Sequence, residues 1–197
     1  FDYQSRYGHG PNQVVLGPDN MLYIVNGNDV AFPGGFAADS PYRDPQNDHL
    51  LPEPRDAVLD VRVGYVAKTD PEGKTWEIIA GGFRNQFDVA FNDDGEMFTY
   101  DADMEWDVGQ PWYRPTRLNH VVSGGEYGWR WGTGKWPEYF ADSLPSTLDT
   151  GLGSPTGLEF GTRSNFPLPY RQSLFMGDWQ HGRIFQVRMT PRGASYD

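Results

Sequence analysis

The sequence predicts an all-β protein of β-propeller type, with about three four-stranded blades present. Three observations point there. Aromatic residues make up 15% of the 197 residues, beside 24 Gly and 16 Pro, a mixture that suits sheets with many turns and suits a helical bundle poorly. Short apolar runs alternate with turns rich in Gly, Asp and Asn along the chain. One hairpin also recurs: Val14–Tyr23 aligns with Val89–Phe98, and a looser copy joins Leu158–Phe160 to Leu174–Met176 across an insertion. Repeated units of this kind mark blades.

Taken in order, residues 12–16 and 21–25 read as strands joined by Gly17-Pro18-Asp19-Asn20, a turn whose residue types favour chain reversal. Residues 27–57 hold Gly, Pro, Asp and Asn without a period, as a loop covering or lining a site would. Strands are predicted at 58–68 and 75–80 around the turn 69–74, after which Gly81-Gly82 punctuates the chain. The central stretch, 84–129, opens with a hairpin: Phe87, Val89 and Phe91, then Asp93-Asp94-Gly95, then Met97, Phe98 and Tyr100. A third run ends at Gly124-Gly125. Residues 130–153 read as an aromatic, proline-rich loop, followed by strands at 156–160, 173–177 and 183–189. The expectation is a single partial propeller over 1–197, with blades at roughly 9–82, 84–150 and 154–191.

The formal net charge of -11 disfavours phosphate backbones and anionic lipid, so nucleic acid is excluded as a partner. No run is apolar for the length of a membrane span, so direct insertion is not expected. With no cysteine, thiolate metal sites and a cysteine nucleophile are excluded. Three blades cannot close a ring, and an open one exposes sheet edges and apolar faces. The remaining blades or partner chains are therefore expected to complete it, and the start at Phe1 reads as that of a processed or partial product.

Four carboxylates recur at every second position: Asp101, Asp103, Glu105 and Asp107. On an extended segment such groups point the same way, and hard oxygens in that number suit Ca²⁺. No histidine lies among them, which disfavours a transition metal; the competing reading is a solvated acidic loop. The repeat places His9 and Arg84 at equivalent positions before the first strands of successive blades, so both would face one axial pocket. An imidazole there suits general-base work near neutral pH, although a lone histidine is more often structural. Arg84 offers a planar fork for carboxylates, or an ion pair with the acidic surface. Asn85 suits a ligand or a turn equally. Trp106, Trp112, Trp129, Trp131 and Trp136 could form a sugar platform, but packing between blades is the expected role for most.

Several blocks resemble one family. His9-Gly-Pro-Asn-Gln-Val-Val-Leu-Gly17-Pro18-Asp19 is similar to the early-blade motif of the soluble quinoprotein glucose and sorbosone dehydrogenases. Arg84-Asn85, Leu118-Asn119 and Gly125-Glu-Tyr127-Gly128-Trp129 resemble that family's central block. Ser154-Pro155-Thr156-Gly157-Leu158, Phe166-Pro167 and Leu174-Phe175-Met176-Gly177 resemble its late-blade block. Tyr100–Arg117 is most similar to the membrane-bound dehydrogenase branch, in which the propeller is often fused to a cytochrome c. Where the family commonly carries an acidic pair before Leu-Asn, this chain has Thr116-Arg117, and His181 stands at one late-blade arginine position. The resemblance implies a six-bladed, periplasmic or exported propeller that oxidises a small-molecule sugar or alcohol with pyrroloquinoline quinone (PQQ) and Ca²⁺, and passes electrons to a cytochrome c. It implies His9 as the base, Arg84, Asn85, Thr156 and Arg183 around the cofactor, and Asp101, Asp103, Glu105 and Asp107 as the source of metal ligands. Two further readings are a calcium-stabilised propeller without cofactor, acting as a binding or scaffold module, and a lactonase-like hydrolase.

Overall fold

The computed structural model describes residues 3, 8–31, 63–102, 104–130 and 132–197. Strands β1 (Pro11–Leu16), β2 (Leu22–Asn26), β3 (Gly64–Thr69) and β4 (Trp76–Phe83) form an antiparallel meander, the first sheet. β5 (Val89–Phe91), β6 (Met97–Asp101) and β7 (Thr116–Val121) begin the second. The short β8 (Gly125–Glu126) returns to pair in parallel with β4, and β9 (Leu148–Gly151) closes the second sheet beside β7. The third sheet is β10 (Pro155–Phe160), β11 (Leu174–Asp178) and β12 (Arg183–Val187), and a small hairpin, β13 (Pro191–Arg192) and β14 (Ser195–Tyr196), ends the chain. The architecture is the all-β propeller that the turn-and-repeat pattern predicts. The first strands neighbour one another, β5 lying against both β1 and β10.

The period-two side-chain rule sets the layers. Val89, Met97 and Val121 of the second sheet pack on Tyr23, Val25, Val66, Ile79 and Phe83 of the first. On its other face Ala90, Phe98, Tyr100 and Leu118 pack on Leu158, Phe160, Leu174 and Met176 of the third. The middle sheet is apolar on both faces because a blade covers each. The repeat is visible in the backbone as well. Asn20 (φ 62°) and Gly95 (φ 84°) hold equivalent left-handed turn positions. In the second copy Asn92 Oδ1 accepts the N–H groups of Asp94 and Glu96 at 3.1 and 2.8 Å, fixing the reversal through a side chain.

Three boundaries differ from expectation. Gly81-Gly82 does not interrupt the strand: β4 runs through both, because β8 lies alongside and a Cβ at Gly82 would overlap the Glu126 carboxylate. β9 falls inside the predicted 130–153 loop. It is an exposed edge strand with one apolar side chain, Leu148, so it carries no alternating signal. The acidic run does not stay extended to its end, since Glu105–Asp107 forms a 3-10 turn. Most of the predicted 27–57 loop, and residues 58–62 of the predicted third strand, lie outside the described residues.

Candidate functional site

Both site-bearing segments lead into first strands. His9 precedes β1 and is 9% exposed; its N–H donates to Asp29 Oδ2 at 3.2 Å, and its Nδ1 lies 2.5 Å from Asn28 Oδ1. The Asn28 N–H in turn donates to the Arg84 carbonyl at 2.9 Å. A Cβ on Gly27 would stand 2.5 Å from Asn85 Oδ1 and 2.6 Å from the His9 carbonyl, so only glycine lets the two segments close on each other here. Asn85 Oδ1 accepts from Asn12 Nδ2 at 2.9 Å. His9, Arg84 and Asn85 thus meet at one end of the sheets, as the repeat alignment requires. Burial, and then the Arg84 charge, push the His9 imidazole below its ordinary range, against opposing pulls from Asn28, Asp29 and Glu105. It is therefore uncharged at neutral pH, with Nδ1 or Nε2 free of a proton.

Arg84 is lightly held for a buried guanidinium. Its Nη2 lies 3.6 Å from Glu105 Oε2, and its buried Nε has no hydrogen-bond partner among the described residues. A buried donor left open in this way fits an anionic or carbonyl group arriving from outside the chain.

The carboxylates do not gather. Asp101 is fully buried, and its two oxygens accept the N–H groups of Arg84, Asn85 and Ala102 at 2.9–3.1 Å, with Arg117 Nη2 at 3.8 Å. Burial pushes this carboxyl up and the Arg117 guanidinium down, each opposed by the other's charge. Asp101 clamps the entering strand and has little lone-pair capacity left for a metal. Asp107 accepts from Lys135 Nζ at 2.5 Å, and Glu105 faces Arg84. Asp103 lies outside the described residues. Among those described, no three His, Asp or Glu side chains form a metal-holding group. Of the carboxylates expected to supply a calcium seat, the three described are each turned to a partner within the chain: the 3-10 turn over Glu105–Asp107 separates them from Asp101, and protein cations offset their charge. Among the described residues no side chains gather to fit Ca²⁺, and no chemistry is assigned to it.

Thr156 and Arg183 belong to a separate cluster on the third sheet. Thr156 lies against Gly177 of β11. Arg183 donates from Nε to Asp178 Oδ2 at 2.8 Å and from Nη2 to the Leu152 carbonyl at 3.0 Å. His181 Nδ1 is 2.9 Å from the same Asp178 oxygen, and the Ser154 N–H donates to Asp178 Oδ1 at 2.8 Å. Asp178 therefore repeats the Asp101 device, a carboxylate at the end of a second strand holding the entrance to the first. Nothing in the described contacts joins this cluster to His9 or Arg84. Asn28, Asp29, Lys135 and Asp178 were not singled out in the sequence. Only Asp178 had a signal, because Met97–Asp101 and Leu174–Asp178 align. Of the tryptophans, Trp129 and Trp136 are packed, Trp112 is half-buried, Trp106 is 79% exposed, and Trp131 lies outside the described residues.

No protein-family model matches the chain, and no curated protein matches it. Solved structures do. The PQQ-bound aldose sugar dehydrogenase of Streptomyces coelicolor aligns over 100% of this chain and 50% of its own, at 16% identity and a TM-score of 0.64. An oxidoreductase of Thermus thermophilus, described as a glucose dehydrogenase, aligns over 100% and 53% at 18% identity, with a TM-score of 0.69. The apo-form soluble aldose sugar dehydrogenase of Escherichia coli aligns over 98% and 54% at 17% identity, with a TM-score of 0.60. The chain spans about half the length of these structures. At such identities the likeness concerns the fold: a partial propeller similar to soluble aldose and glucose dehydrogenases.

Proposed function

We propose that this chain carries the proton-accepting side of a quinoprotein dehydrogenase site that oxidises a sugar or related alcohol. The observation that carries the reading is the meeting of a neutral, buried His9 with Arg84, whose inner nitrogen is open. PQQ, when bound, would supply the hydride acceptor. Arg84 would hold one of its carboxylates or quinone oxygens through the fork. His9, oriented through Nδ1 by Asn28 and through its backbone by Asp29, would take the hydroxyl proton on Nε2 as the hydride leaves the same carbon. Asp101 would keep the Arg84 and Asn85 backbone in register beneath the cofactor. Thr156 and Arg183 would contribute from the third blade, with the divisions near 9–82, 84–150 and 154–191 as functional units of the ring. A cytochrome c acceptor and an exported location belong to the same proposal.

The test is reconstitution of the full-length protein with PQQ, followed by dye reduction with aldoses. His9→Ala should lower kcat about 10²–10⁴-fold, as loss of a general base does, while Arg84→Gln should weaken quinone retention. Absence of turnover and of quinone absorbance on the protein would sink the reading. A second reading has its own observation: within the acidic run, Asp101, Glu105 and Asp107 are each engaged internally, which favours a propeller held by its own ion pairs and serving as a binding module.

A further inference from the structure

A concavity lies beside β7 and β9 of the middle sheet. Arg114 and Arg117 of the β7 segment, Asp149 of β9, and Glu138, Ser143 and Ser146 from the connection between them line a cleft of about 160 Å³. A water needs roughly 10–15 Å³ of such space, so the cleft has room for on the order of ten waters rather than one ion.

The guanidiniums are fixed by the fold. Arg114 Nη2 donates to the Trp136 carbonyl at 2.6 Å, with Nη1 3.6 Å from Glu138 Oε1, and Arg117 Nη2 donates to the Tyr127 carbonyl at 2.8 Å. Their side chains are only 11% and 6% exposed, so they are presented as walls rather than waving in solvent. Asp149 Oδ1 accepts from Ser146 Oγ at 2.6 Å, which orients that carboxylate as well. Leu144 and Pro145 add an apolar strip.

Charge balance decides the ligand class. Two guanidiniums face two carboxylates, on a chain of net charge -11. A free anion would meet Asp149 and Glu138, and a free cation would meet both arginines. A neutral molecule with several hydroxyls satisfies both kinds of wall, since each hydroxyl accepts from a guanidinium and donates to a carboxylate. The ring C–H groups would lie on Leu144 and Pro145. We propose that this cleft is a carbohydrate-binding subsite for one sugar ring or similar polyol, separate from the site at His9. Asp101 stands between them, holding the Arg84 amide on one side and Arg117 on the other.

The inference is independent of any cofactor, so its test uses none. The full-length protein is titrated with D-glucose by calorimetry and by amide chemical shifts, with glycerol, D-gluconate and inorganic phosphate in parallel. Saturable glucose binding is expected, with shifts at 143–149, and with gluconate and phosphate weaker. Arg114→Gln should weaken it about tenfold, the worth of one charge-assisted hydrogen bond, and Asp149→Asn tests the opposite wall should the first variant fold poorly. His9→Ala and Arg84→Gln should leave this binding unchanged even where they abolish oxidation. Loss of glucose binding in those two variants, stronger binding of phosphate than of glucose, or no saturation at all would each overturn the proposal.

Discussion

The second and third sheets carry the same clamp in opposite surroundings. Asp101 pairs across the ladder with Arg117, and Asp178 with Arg183. Each carboxylate is itself covered, but Arg117 is 6% exposed and Arg183 40%. The outcome differs in sign. Burial dominates at Asp101 and pushes its carboxyl up. At Asp178 burial pulls the same way but is outweighed by hydrogen bonds from Ser154, His181 and Arg183, which bring the carboxyl down to about 2. The neighbouring ladder position tells the same story, since Tyr100 pairs with Leu118 and Gly177 with Ile184. Leu118 is fully buried by the next sheet, whereas the equivalent Ile184 is 76% exposed. Identical local geometry therefore yields a buried core position in the middle of the stack and a solvated one at its edge.

That comparison is most easily broken at the clamps. Asp101→Ala should cost about 3–5 kcal/mol, because it strands Arg117 in the interior; denaturant unfolding measures it, and a loss below about 1 kcal/mol would mean the clamp is ornamental. Leu118→Ala should cost about 2–5 kcal/mol, whereas Ile184→Ala should fall within about 0.5 kcal/mol as a surface change. Equal losses in the two variants would show that another element covers the third sheet in solution.

The pH dependence of Asp178 sharpens the comparison. Its folded value lies below the unfolded carboxyl's, about 3.9, so its stabilisation is present above that value and lost as pH falls through about 2. Exposed partners screen it, which leaves on the order of 1–2 kcal/mol. The difference between wild type and Asp178→Asn should accordingly shrink below about pH 4. His9 gives the smallest effect, with the same sign but at higher pH. Its folded value lies below the unfolded 6.5, so the native state loses stability as pH falls below 6.5 towards the folded value. His9→Gln should flatten that acid limb, and an unchanged limb would contradict the buried, neutral imidazole.

Much of the fold was legible because sheet propensity, turn chemistry and the hairpin repeat are local signals. Val89, Phe91, Met97 and Tyr100 announce strands by alternation, and Asn92 and Gly95 announce the turn between them. β9 was not legible, since an edge strand exposed on both faces needs no apolar pattern. The candidate site was legible in part. His9 and Arg84 emerged from repeat equivalence, and that equivalence is geometric. The partners of the acidic run were not legible, because composition counts charges without them: Arg117 and Lys135, distant in sequence, take up Asp101 and Asp107.

By itself, the sequence determined the all-β class, the turn positions and the equivalence of strand entrances, because each rests on backbone preferences acting over a few residues. Only the tertiary structure decided which carboxylate is a clamp, which arginine is left with an open nitrogen, and which face of a blade is core. Those depend on desolvation and on partners supplied by other strands, and neither is encoded within a single stretch of chain.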